Sequence, residues 1–86
     1  MIKTTVIIDG MMCNMCENHV NDAIRKKFPE IQSVRSRYKK GLTEIISERA
    51  YTKEELSLLL DESGYIVKEA SSEQFTKRSF LFFGKR

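Results

Sequence analysis

The first stretch of the chain carries a run of apolar and β-branched residues. Ile2-Lys3-Thr4-Thr5-Val6-Ile7-Ile8 is β-branched at nearly every position and reads as a strand, which Asp9-Gly10 ends. From Cys16 the pattern becomes helical. Cys16, Val20, Ala23, Ile24 and Phe28 fall on one face, and Asn18, Asn21, Asp22, Arg25 and Lys26 occupy the other. Pro29 stops that helix. A second strand fits Ser33 to Lys39, where Val34, Ser36 and Tyr38 alternate with Arg35, Arg37 and Lys39. Lys40-Gly41 supplies a turn, and Leu42 to Ser47 returns as a third strand. Thr52 followed by Glu55 is a capping box, opening a helix to about Ser63 with Leu56, Leu59 and Leu60 on one face. Gly64 suits a left-handed helix cap, and Tyr65 to Ala70 forms a fourth strand.

Strand, helix, strand, strand, helix, strand predicts an α+β fold. The expected architecture is a ferredoxin-like βαββαβ sandwich, with a four-stranded antiparallel sheet and both helices on one face. The domain spans 1–70, and 71–86 form a basic and aromatic C-terminal extension. There is no internal repeat beyond the two halves of that plan.

Composition narrows the function. Eighty-six residues bury only roughly 60% of their extended surface, which allows one modest core and no separate substrate domain. The net charge is +3, yet residues 1–70 hold eleven basic and eleven acidic side chains. The surplus comes from Lys77, Arg78, Lys85 and Arg86 against Glu73. A neutral body with a basic tail is not the pattern of a nucleic-acid-binding domain, and no aromatic residues interleave with Arg35, Arg37, Lys39 and Lys40. Those four residues read instead as a solvated basic strand edge. No segment resembles a secretory signal or a membrane span. Two cysteines three positions apart make a poor structural staple, so the expected setting is reducing and cytoplasmic.

The candidate chemistry lies in Gly10-Met11-Met12-Cys13-Asn14-Met15-Cys16, between a strand end and a helix start. Backbone N–H groups and the positive helix end favour negative sulfur there and lower a thiol pKa. Cys16 begins the buried stripe and should be partly covered, whereas Cys13 precedes it in the loop and should be exposed. Two thiolates without another strong ligand suit a soft ion of low coordination number, Cu(I) first. Thiolate also serves Hg(II), Zn(II) and Cd(II). A structural zinc site takes four ligands, and His19 offers at best a third.

The same segment, with Val20 and Ile24 after it, Lys40-Gly41 in the hairpin and Ser63-Gly64-Tyr65 near the end, resembles the heavy-metal-associated domain family. That family comprises copper chaperones and the metal-binding domains of copper-transporting P-type ATPases. The resemblance covers residues 2–70. It implies that Cys13 and Cys16 bind metal, that Met11 packs under the loop, and that Tyr65 lies close by, as in bacterial members. It also implies a partner, a metal-transporting P-type ATPase or another CxxC domain. Met12 departs from the small hydroxyl residue frequent at its position, and the tail beyond Ala70 is longer than usual.

Each of these residues also has a plainer reading. Met11 fills an irregular core gap. Met12 and Met15 are exposed, as partner contacts or as thioether ligands. His19 is a solvated helical residue, an auxiliary ligand, or a ligand in a metal-bridged homodimer. Tyr65 covers the core, screens the loop, or does both. For the cysteine pair the alternative is dithiol redox exchange, although no Trp stands beside this CxxC and the chain is small for a thioredoxin-like sheet. The expectation is a metal carrier and not an enzyme. For Phe75 through Arg86 three readings stand: packing on the sheet face left bare by the helices, where Ile7 and Val67 are expected, disorder, or contact with a partner or membrane surface.

Overall fold

The β-branched run forms β1 (Ile2–Asp9), and the rest of the sheet is built on it. β3 (Leu42–Ser47) pairs along one edge of β1 and β4 (Ile66–Gln74) along the other, both antiparallel. β2 (Ser33–Arg37) lies outside β3, giving the order β2-β3-β1-β4. Two helices, α1 (Asn14–Lys27) and α2 (Lys53–Asp61), cover one face. The structure, a computed structural model, describes residues 1–74. The predicted ferredoxin-like βαββαβ plan is therefore present in full. The readings made for Phe75 through Arg86 lie outside the described residues.

The core is what the apolar periodicities place inside. Val6 and Ile8 from β1, Val20, Ile24 and Phe28 from α1, Ile45 from β3, Leu56 and Leu60 from α2, and Val67 from β4 form one buried cluster. α1 begins at Asn14, two residues before the apolar stripe starts at Cys16, with Cys13 at its N-cap. Asn21 is one correction. It was placed on the solvent side of α1, but its Oδ1 accepts a 2.6 Å bond from the Ser36 hydroxyl, which also meets Thr43 Oγ1 at 2.7 Å. This network is how two hydroxyls tolerate a position under α1: a buried polar group costs little once its partners are supplied.

Val67 is a second correction. Strict alternation counted back from Ala70 puts it on the bare face, but β4 bulges opposite Ile7 and Ile8, so that Ile8 faces Val67 and Ile7 faces Glu69. The extra residue, Lys68, lets Val67 point inward and keeps Ala70 inward as well. The bare face still has apolar character, from half-buried Ile7, Leu42 and Ile46 and exposed Ile66, beside a Lys3–Glu44 ion pair of 3.1 Å. β4 also runs four residues past the expected Ala70, with Ser72 Oγ 3.0 Å from Thr4 Oγ1.

The start of α2 is pinned by charge. Thr52 and Glu55 make the predicted capping box, and Arg49 grips the same carboxylate at 3.0 Å while lying 4.0 Å over the Tyr51 ring. The Arg49 guanidinium, helped by the Thr52 amide, holds the Glu55 carboxyl down at about 2. A depressed carboxyl stabilises the fold above its unfolded pKa, and the contribution is lost as pH falls through the folded value. Thermal midpoints are accordingly expected to fall as pH drops from about 4.5 toward about 2. Glu55→Gln should flatten that part of the profile, as followed by circular dichroism.

Candidate metal centre

β1 ends at Asp9, and the chain must turn sharply to begin α1 only five residues later. Gly10 makes the turn at φ +107, and a Cβ there would stand 3.4 Å from both the Gly64 carbonyl and the Tyr65 ring. Only glycine combines that backbone with so close an approach. The loop is thereby laid against the start of β4. Met11 turns inward and is buried with the core, as expected, and Tyr65 is buried beside the loop.

Cys13 occupies the N-cap of α1 in extended conformation, and its carbonyl accepts from the amides of Cys16 and Glu17. Its side chain makes no cap hydrogen bond. An oxygen-bearing residue there typically stabilises a helix by about 1 kcal/mol, so α1 forgoes that contribution. In exchange, a sulfur stands where the helix dipole favours negative charge.

The two sulfurs lie 3.7 Å apart, Cys13 exposed and Cys16 partly buried, the asymmetry read from the sequence. At a zinc–sulfur distance of about 2.3 Å, that separation subtends a roughly tetrahedral angle. A linear two-coordinate ion would spread the sulfurs to about twice its bond length, and the exposed Cys13 is the one free to move. The Cys16 thiol is lowered to about 7, chiefly by the Met12 amide donating to its sulfur and then by the Tyr65 hydroxyl. The same bond to Cys16, with burial, pushes the Tyr65 hydroxyl up to about 12, so it remains a donor.

The other sequence candidates fall into place unevenly. Met12 and Met15, each next to a cysteine in sequence, are exposed at 81% and 66%. His19 is exposed on α1, and among the described residues no three His, Cys, Asp or Glu side chains converge on one point. The structure thus brings together Cys13, Cys16, Tyr65 and the Met12 backbone, and leaves His19 apart. Sequence reasoning overlooked Glu17, whose carboxylate accepts a 2.8 Å bond from the Tyr38 amide. Only its place directly after Cys16 signalled it; the partner, twenty-one residues on, carries no side-chain clue.

No family model and no curated protein sequence matches the chain. Solved structures do. The N-terminal domain of ZntA in its Zn(II) form superposes with a TM-score of 0.66 at 17% identity, over 88% of this chain and 97% of that one. The chain has the fold of that domain, a ferredoxin-like βαββαβ sandwich. The copper chaperone Atx1 from Synechocystis shares it with a TM-score of 0.61 at 19% identity, over 74% and 97% of the two chains. A copper-binding domain of HMA7, a P-type ATPase, gives 0.63 at 19%, over 86% and 96%. One fold thus serves proteins described with different metals. Among the described residues no helix is long and apolar enough to cross a membrane.

Alkylation of Cys16 with iodoacetamide, followed site by site against pH, should titrate with a midpoint near 7. Tyr65→Phe should move the midpoint upward by removing a donor to the thiolate. Superimposable profiles would take Tyr65 out of the site.

Proposed function

We propose that the chain carries a thiophilic metal ion, Cu(I) first, on the sulfurs of Cys13 and Cys16, and passes it to another CxxC domain such as that of a metal-transporting P-type ATPase. The observation behind this reading is the pair of sulfurs 3.7 Å apart at an open helix start, one exposed and one partly buried. The likeness in fold to a copper chaperone and to a domain of a P-type ATPase supports it.

Transfer follows from that asymmetry. Cys13 makes the first contact with an incoming donor, because its sulfur is exposed. Cys16, already thiolate in substantial fraction near pH 7, then closes the chelate. Release runs in reverse: a partner thiolate attacks the ion, Cys16 leaves first, and the exposed Cys13 leaves last. The ion keeps its oxidation state throughout, and each new metal–sulfur bond replaces an old one. The Tyr65 hydroxyl stabilises the anionic Cys16 sulfur when the ion has gone. Exposed Met12 and Met15 form an apolar rim for the partner. A reducing compartment such as the cytoplasm keeps both thiols free.

A Cu(I) titration under anaerobic, reducing conditions, with a competing chelator, is expected to give tight binding of about one ion per chain, or one per two chains if a second copy shares it. The Cys13→Ser/Cys16→Ser variant should lose it. That variant should nonetheless stay folded, and Ser at the N-cap should add about 0.5–1 kcal/mol to helix stability. Retained tight binding in the double variant would refute the site. Binding of Zn(II) or Hg(II) without Cu(I) would keep the site and change the metal. Turnover of a disulfide substrate without metal binding would favour redox exchange.

A further inference from the structure

The loop that carries both cysteines is tied at its two ends to one small turn. On the way in, the Ile8 amide donates to the Gly41 carbonyl at 2.7 Å. On the way out, the Tyr38 amide donates to Glu17 Oε2 at 2.8 Å. Tyr38 and Gly41 are the ends of the turn joining β2 to β3, closed by the Gly41 amide on the Tyr38 carbonyl and the Lys40 amide on the Arg37 carbonyl, both 3.2 Å. Gly41 holds φ +65 there, and a Cβ would stand 3.2 Å from the Ile8 carbonyl. One turn further along α1, Asn21 accepts from Ser36 on β2. Glu17 and Asn21 are four residues apart and so share one edge of the helix.

We propose that Glu17 is a positioning residue, whose carboxylate clamps the first turn of α1 to the β2–β3 turn and so fixes where Cys16 stands relative to Cys13. A helix start with no side-chain cap frays readily, and this bond restrains it from the side, leaving the end of the helix open to the sulfurs. A charge-assisted bond to a partly buried amide suits the task. An electrostatic role for Glu17 would act against the site, since a carboxylate disfavours a neighbouring thiolate. The donors acting on Cys16 are the Met12 amide and the Tyr65 hydroxyl. The consequence for metal transfer rests on the carrier reading above, whereas the clamp itself does not.

The test compares Glu17→Ala, Glu17→Gln and Glu17→Asp in the full chain. Amide exchange of the metal-free protein is read at Cys16, Glu17 and Tyr38, and Cu(I) affinity is read by chelator competition. Glu17→Ala should accelerate exchange at those three amides by about tenfold and weaken Cu(I) by a similar factor, with exchange in β1 and β3 unchanged. Glu17→Gln, which keeps an acceptor of the same reach, should stay within about threefold of the parent, and Glu17→Asp, one methylene short, should follow Ala. Unchanged exchange in Glu17→Ala, or a Gln variant as impaired as Ala, would overturn the clamp. Failure of the parent to bind Cu(I) would instead overturn the carrier reading and leave the exchange result to decide the clamp.

Discussion

The uncapped first turn of α1 is the constraint around which the other features are arranged. Its amides need a partner, and in most helices a Ser, Thr, Asp or Asn side chain supplies one. Here the N-cap is Cys13, whose thiol does not bond back. The helix start is thus left electropositive beside the lowered Cys16 thiol, and the turn that presents both cysteines is weakened. Gly10 against Gly64 and Tyr65 supports the loop from the β4 side, the β2–β3 turn supports it from the other, and Met11 anchors it from beneath. Stability given up at the cap is replaced by contacts that leave the sulfurs uncovered.

The far end of the molecule is organised in the opposite way. There α2 begins with a complete capping box, reinforced by an Arg49 that binds Glu55 and stacks on Tyr51, while Tyr51 in turn bonds Glu30 at 2.8 Å. Every group in that cluster has a partner. The two helix starts show how one principle is used for holding at one end and for chemistry at the other. Among the described residues no His, Asp or Glu side chain joins the two sulfurs at one point. On the carrier reading proposed above, two sulfurs with an open side would hold an ion without enclosing it, unlike a four-ligand structural zinc site.

Most of the fold was legible because its signals were local. The β-branched run of β1, the Val20–Ile24–Phe28 stripe, the Thr52–Glu55 box and the glycines at 41 and 64 each point to one conformation. The cysteine pair was legible for the same reason, since spacing alone sets both sulfurs at a helix start. What the sequence concealed was non-local. Asn21 looks like a solvent residue until Ser36 and Thr43 are brought under it. Val67 looks outward until a bulge at Lys68 shifts the phase of the strand. Glu17 looks like an ordinary first-turn acid, and its partner is a backbone amide, to which composition and periodicity are blind.

The register of β4 has a further consequence. Gln74 pairs with Ile2, so the described chain begins and finishes side by side, at the end of β1 away from Asp9 and the cysteine loop. Ile2 and Gln74 therefore stand at the pole of the sheet remote from the sulfurs. A label placed at Ile2 or Gln74 would accordingly report on the sheet without crowding the cysteine loop.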